Sequence, residues 1–309
     1  MEIYNKKMKN ILNQKIIDTH HHLWDPTSNK YDWLVAKDNE IFNKIYLLKD
    51  FIQDIKNLNI IKSVHVQADI NISETIFETE WLQKISNFEP SLNKNAFPNA
   101  IIGFANFLDP DVELILENHL RSKNFRGIRH ILNYDKKNKN ISHTNIDYLK
   151  EDVWIKNFSL LKKYNLIFDL SILYNQVADA AKLINKESNT LFIINHTLSP
   201  INFSGENIRI WLEGIKLLSS FDNVIIKLSG FGEFNSKWTQ ETIRPLILNS
   251  IDNFGVERCM FGTNFPVDKY LSNASYFDFW NSYFNIVKDF NDNEIDKLFY
   301  LNAENFYKI

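Results

Sequence analysis

Cysteine is all but missing from this chain of 309 residues: the one copy, Cys259, rules out an internal disulfide framework. Glycine and proline are sparse as well, at eight and seven residues, and no Gly/Ser-rich or Pro-rich linker divides the sequence. The whole chain, 1–309, therefore reads as one domain, with residues 1–14 as a flexible N-terminal segment. No apolar run approaches the roughly 18–20 residues that a membrane span needs. The first ten residues are polar and basic, yet neither an h-region nor a small-residue cleavage site follows, so no secretory signal is read. An excess of one charge is lacking too: the formal net charge is −3, without the basic footprint of a nucleic-acid binder. These absences point to a cytoplasmic globular protein with a small-molecule partner, no nucleic acid and no membrane; self-association is left open. What the chain does hold is 44% hydrophobic and 14% aromatic residues, ample for a substantial core.

Eight apolar segments, each ending in a polar residue, recur along the chain, at 16–20, 63–67, 101–106, 126–130, 166–169, 191–196, 224–229 and 259–264. Helical patterns lie between and after them, at 47–58, 112–120, 153–164, 176–185, 208–219, 239–254 and 294–306. Near-continuous apolar strands alternating with helices indicate a parallel sheet buried on both faces. Eight such units predict an α/β fold, the (β/α)8 TIM barrel. A doubly wound sheet is the alternative, but no Gly-rich phosphate turn follows the first strand. His20, Gln67, Asn106, His130, Asp169, His196, Ser229 and Asn264 end their segments, and in such a barrel that rim carries the active site. The longest connection, 22–47, carries Trp24, Tyr31, Trp33 and Leu34. It is long enough to fold over the mouth as a lid or wall, or to pack as a surface loop.

The densest chemistry lies in Asp18-Thr19-His20-His21-His22. On a strand Asp18, His20 and His22 share one face, and two imidazoles on one rigid edge grip a divalent metal or an anionic substrate; a solvated loop is the bland alternative. His21 is expected to face the helices, His65 to be core, and His119 and His143 to be surface. Of the two arginines on the fourth segment, Arg126 and Arg129, at most one points inward, and Arg129 is nearer the rim. A buried guanidinium needs a partner. Either an acidic rim residue such as Asp169 supplies it, or an anionic substrate does, whose carboxylate or lactone oxygen suits the bidentate fork. Cys259, followed by Met260 and Phe261, reads as a small buried hydrophobe.

With IDTHHHLWDP (17–26), SVHVQAD (63–69), GFANFLDP (103–110), FRGIRHIL (125–132), NLIFDLSILYNQ (165–176), NHTLSP (195–200), NVIIKLSG (223–230) and RCMFGTNFPVDKY (258–270) in this order, the sequence resembles the amidohydrolase superfamily. The resemblance is to its sugar-lactonase and 2-pyrone-4,6-dicarboxylate lactonase branch in particular. It implies a barrel of the metal-dependent-hydrolase type and hydrolysis of a lactone, amide or related bond, with one divalent metal or, in some lactonases, none. Some relatives decarboxylate or hydrate instead, so a lyase on the same barrel, or a non-catalytic barrel binding a small acid, stays open.

Within that resemblance His20 and His22 match the family's first-strand pair and His196 its sixth-strand histidine. The three would hold one metal, zinc before magnesium because the ligands are nitrogen, or in a metal-free member would bond the substrate. The family's eighth-strand motif carries an Asp as general base where this chain has Asn264, within Gly262-Thr263-Asn264-Phe265-Pro266. An amide takes no proton at neutral pH. The base then passes to Asp268, to Asp169, or to a histidine such as His20 or His196, while metal affinity weakens; a solvent-facing turn is the bland reading of Asp268. The catalytic set is thus His20, His22, His196, Asn264 and Asp268. Substrate contacts are expected from Arg129, His130, Gln67 and Asp169, from Lys227 near the end of its strand (or snorkelling between helices), and from Trp24 and Trp33 as an apolar wall against a sugar ring.

Overall fold

A computed structural model describes residues 10–28, 30–88, 93–200 and 205–309. The apolar segments form eight strands: β1 (Ile16–His21), β2 (Ile60–Val66), β3 (Ala100–Gly103), β4 (Phe125–Ile131), β5 (Ile167–Ser171), β6 (Phe192–Ile194), β7 (Val224–Leu228) and β8 (Cys259–Phe261). They pair in parallel in chain order. The ring closes just beyond β8, where Asn264 N donates to His20 O and His22 N donates to Phe265 O, both at 2.7 Å. This is the (β/α)8 barrel that the alternation predicts.

Helices cover the outside because one side of each strand, and one face of each helix, is apolar. The principal ones are Leu48–Ile55, Thr75–Asn87, Val112–His119, Val177–Lys186, Gly205–Ser219, Gln240–Phe254 and Tyr276–Val287. Thr75–Asn87 and Tyr276–Val287 have no counterpart among the helical patterns read from the sequence. The first buries Thr75, Glu78, Thr79 and Ser86 beside Leu82, which blurs its apolar stripe. The second buries Tyr276, Phe279, Trp280, Tyr283, Phe284, Ile286 and Val287, so little contrast marks its faces.

Inside the ring pack Ile17, Val64, Val66, Ala100, Ile102, Ile193, Ile225 and Met260. Each of the valine, isoleucine and methionine side chains contributes about 1.5–3 kcal/mol on leaving water. Ala303 and Tyr307, from the C-terminal helix Asn302–Tyr307, join this cluster and seal the N-terminal end of the barrel. Arg126 also lies at that end, donating to the carbonyls of Tyr307 and Lys308, so Arg129 is the arginine left for the rim.

Of the expected flexible segment 1–14, residues 1–9 lie outside the described residues. Residues 10–14 form a turn in which Ile11 is buried and Gln14 Nε2 donates to Asp296 Oδ1 at 3.0 Å. His119, expected at the surface, is buried: its ring stacks on Phe125 and bonds Thr79 Oγ1 and Phe104 O. Cys259 is buried, as its apolar neighbours suggest. Among the described residues no helix is long and apolar enough to cross a membrane.

Candidate functional site

The site is built on an irregularity in β1. Asp18 aligns with Ser63 but His21 with His65, three residues on one strand against two on the next. An extra residue of this kind re-aims the side chains that follow it. Ile17 belongs to the barrel interior, and His20 and His22 return to that side, while Asp18 turns outward. There it accepts from Thr263 Oγ1 at 2.6 Å, Thr263 N at 3.0 Å and Tyr276 Oη at 2.8 Å. The strict alternation that would place Asp18 beside His20 and His22 is therefore broken. Burial pushes its carboxyl up to about 6 despite these donors. His21 faces the helices as expected, stacked on Phe51 and bonded to Ser63 Oγ, and His65 is core, its Nε2 accepting from Leu23 N at 2.8 Å.

Three imidazoles meet at the rim. The ring centroids of His20 and His22 lie 5.1 Å apart, those of His20 and His196 4.4 Å apart. His22 Nδ1 lies 2.8 Å from Val66 O and Nε2 lies 3.2 Å from Asn264 Oδ1, so an acceptor faces each ring nitrogen. His196 Nδ1 is 3.2 Å from Ser229 Oγ. Burial is the first cause lowering all three, and neighbouring positive groups add to it: Arg129 and Lys227 beside His20 and His196, Arg129 beside His22. His22 falls to about 3. All three rings are therefore neutral at physiological pH.

His196 begins a run of four residues, through Ser199, with φ between 44° and 62°. Left-handed backbone costs an L-residue roughly 1–2 kcal/mol, and the surroundings fix it here. Trp211 Nε1 donates to Thr197 O at 2.8 Å, and Thr197 Oγ1 donates to Ser229 O at 3.3 Å. Strain held in this way is characteristic of functional sites.

A cavity of about 460 Å³ opens above these rings, lined by His22, Trp24, Trp33, Arg129, His196, Glu233 and Asn264 among others. His20 lies fully buried behind it. The indole planes of Trp24 and Trp33 meet at 83°, with centroids 5.5 Å apart, and their N–H groups are spent on Lys44 O and Ala68 O. They present apolar faces to the cavity. Arg129 donates to Gln67 O and lies with Nη1 3.5 Å from His20 Nε2, while its Nε has no partner.

Sequence reasoning missed Glu233. It sits in the short helix Phe231–Phe234 directly after β7, an exposed residue on the wall of the cavity. Desolvation raises its carboxyl above the ordinary range, against the lowering pull of Arg129 and of a hydrogen bond from Asn264. The Asn264 amide joins two carboxylates: Nδ2 donates to Glu233 Oε2 at 2.9 Å and to Asp268 Oδ1 at 2.8 Å. Asp268 is not a solvent-facing turn. It is fully buried behind Asn264, accepts from Gly232 N and Glu233 N, and is pushed well up by burial and by the Glu233 charge. The one legible signal for Glu233 was a carboxylate a few residues past the seventh strand, in SGFGEF.

The remaining expected contacts lie elsewhere. Asp169 and Lys227 form an ion pair inside the barrel, both side chains fully buried, with Asn195 Nδ2 and Tyr307 Oη also on the carboxylate. Neither lines the cavity, and Lys227 does not snorkel. Asp169 thus serves Lys227 and is no hydrogen-bond partner of Arg129. Gln67 and His130 line a neighbouring cavity instead. His143 is exposed, as the sequence suggests, and borders both cavities, 3.4 Å from Asp69.

A metal fits this donor set poorly. Among the described residues no three His, Cys, Asp or Glu side chains are grouped as a metal site needs. The Arg129 guanidinium stands at 3.5 Å from His20 Nε2, where a divalent ion shared with the other rings would meet its charge. The carboxylate of the family motif is an amide, turned by its Nδ2 toward other carboxylates.

Comparison with known proteins agrees with the fold. A family model described as amidohydrolase matches residues 17–309. The uncharacterized protein y4mH of Sinorhizobium fredii is 36% identical over 305 residues, covering 95% of this chain and 98% of that protein. An L-fucono-1,5-lactonase of Burkholderia ambifaria is 22% identical over 272 residues, covering 85% and 84%. Among solved structures, an amidohydrolase of Burkholderia multivorans with bound HEPES superposes with a TM-score of 0.79 at 19% identity, covering 95% of this chain and 99% of that one. The same protein has been crystallised with zinc.

Proposed function

Since this chain belongs to the amidohydrolase family, we propose that it is a lactone hydrolase that opens a sugar-derived or carboxylated lactone without a metal, Glu233 serving as general base. The observation that carries the reading is the juxtaposition, around one cavity, of the Glu233 carboxylate, the Arg129 guanidinium and the imidazoles of His22 and His196. The lactonase names of the relatives support it. A base is most effective when its pKa lies near the working pH, and desolvation moves Glu233 in that direction.

In this reading the carbonyl oxygen of the lactone faces Arg129 and His196, and the ring lies against Trp24 and Trp33. Glu233 takes a proton from a water molecule. The water oxygen bonds to the carbonyl carbon, and negative charge moves to the carbonyl oxygen. Arg129, held by the Gln67 carbonyl, supplies a fixed positive charge there, the kind of preorganised stabilisation that dominates such reactions. The carbon–ring-oxygen bond then breaks, and Glu233 returns its proton to the departing ring oxygen. The product is the open hydroxy acid. Asn264 has no proton to exchange; it holds Glu233 and separates it from Asp268.

The test is a panel of aldono-1,5-lactones, including L-fucono- and D-glucono-lactone, followed by acid release in a pH-indicator assay with and without zinc. Hydrolysis abolished by Glu233→Gln supports the reading. No acid release from any lactone, or carbon dioxide release from a carboxylated ring without water uptake, overturns it.

A further inference from the structure

Beside the first cavity lies a second of about 430 Å³, and Asp69, Ile131 and His143 border both. We propose that this second cavity is a subsite for an additional uncharged sugar ring, so that the preferred substrate is an aldonolactone carrying a second sugar, rather than a single-ring lactone. The proposal rests on the lactonase reading and names the substrate class for it.

The partition between the cavities is thin. Asp69 holds a left-handed conformation, φ 51°, which a non-glycine residue rarely adopts. That conformation sets its carboxylate between the Gln67 amide at 3.1 Å and the His143 ring at 3.4 Å. Each cavity alone falls in the lower part of the usual range for small-molecule sites, roughly 300–1,000 Å³. A two-ring molecule passing beside the Asp69–His143 pair uses both.

The lining of the second cavity says what kind of ring it takes. Phe104 and Tyr148 flank the imidazole of His130, with centroids 5.1 and 4.3 Å from it. Flat apolar faces beside the amides of Gln67, Asn106 and Asn145 suit a ring with C–H groups on one side and hydroxyls at its edge. Among the described residues no lysine or arginine lines this cavity. Asp69 accepts from the Gln67 amide and faces the His143 ring, and burial pushes His130 down to about 3, leaving it neutral. An anionic group finds no counter-charge here, whereas the first cavity has Arg129.

The experiment compares kcat/KM for D-glucono-1,5-lactone and cellobiono-1,5-lactone, in the intact protein and in Asn145→Trp and Tyr148→Ala. The expected result is at least a tenfold preference for the two-ring lactone, falling toward unity in both variants. Equal rates, or a preference that neither variant moves, overturn the subsite. If neither lactone is hydrolysed, the lactonase reading fails separately. Thermal shift with the acids cellobionate and gluconate then decides the subsite. A larger stabilisation by cellobionate that Asn145→Trp removes sustains it, and equal shifts overturn it.

Discussion

Gly230 lies against the imidazole of His196: a methyl group on its α-carbon would stand 2.6 Å from Nδ1 and 2.7 Å from Cγ of that ring. Its φ of 75° already favours glycine. Gly230→Ala is therefore expected to push His196 out of the cavity and lower kcat/KM for lactone by about a hundredfold, the scale on which a small misplacement acts. Steady-state kinetics, with circular dichroism to confirm folding, checks this.

Glu233→Gln keeps the hydrogen-bonding shape but not the proton acceptor. Loss of a general base typically costs 10²–10⁴-fold in rate, and about that loss in kcat is expected with KM little changed. In the parent protein kcat/KM falls as pH drops through the Glu233 pKa, which lies above the ordinary glutamate value because of desolvation. That acid limb disappears in the variant. A pH–rate profile from pH 4 to 8 reads both effects.

The Lys227–Asp169 pair is fully buried. Removing one partner strands a charge in the interior, at a cost of about 3–5 kcal/mol. Lys227→Met alone is expected to unfold at markedly lower urea concentration, and Lys227→Met with Asp169→Leu to recover most of the loss. Urea midpoints at pH 7 measure it.

Acid sensitivity follows from the histidines. Seven of the eight, all except His143, are held below the ordinary value chiefly by burial. The unfolded chain binds protons at these positions below pH ~6.5 while the folded one does not, so stability falls as pH falls. From pH 6.5 to 5.5 each contributes a loss of about 1 kcal/mol. Asp18, raised to about 6, Glu78, raised to about 7, and Glu233 and Asp268, also raised, act in the opposite sense and stabilise the fold as they protonate. Seven groups oppose four. The unfolding free energy is expected to be lower at pH 5.5 than at pH 7, read from urea titrations at the two pH values.

Chelation is expected to leave both activity and Tm unchanged, because Arg129 and Asn264 stand where an ion would need negative charge. Dialysis against EDTA, elemental analysis and re-addition of zinc test the point.

The barrel was legible because each strand is a nearly unbroken apolar run between helix-length segments, a pattern local enough to read from one chain. Arg129 was legible for the same reason, since position on a strand indicates where a side chain points, and His20, His22 and His196 were legible as residues near strand ends. The separation of Asp18 from His20 and His22 was not: one extra residue after Asp18 in β1 breaks the alternation, and nothing in the amino acids at 18–21 announces it. Glu233 was hidden in a four-residue helix with no periodicity. Asp169 and Lys227 are 58 residues apart, and only the closed ring makes them neighbours. Gln67 and His130 end their strands as expected but turn toward the adjoining cavity, a consequence of loop packing that strand alternation does not encode.

The hydrogen bonds that shut the barrel, between Asn264 and His20 and between His22 and Phe265, join the first strand's end to the segment after the last. A nascent chain emerging from the ribosome therefore cannot close its ring until residues more than 240 positions beyond His20 have been made. On the proposed reading, a fragment that stops short of Asn264 lacks the closed rim and is expected to be inactive.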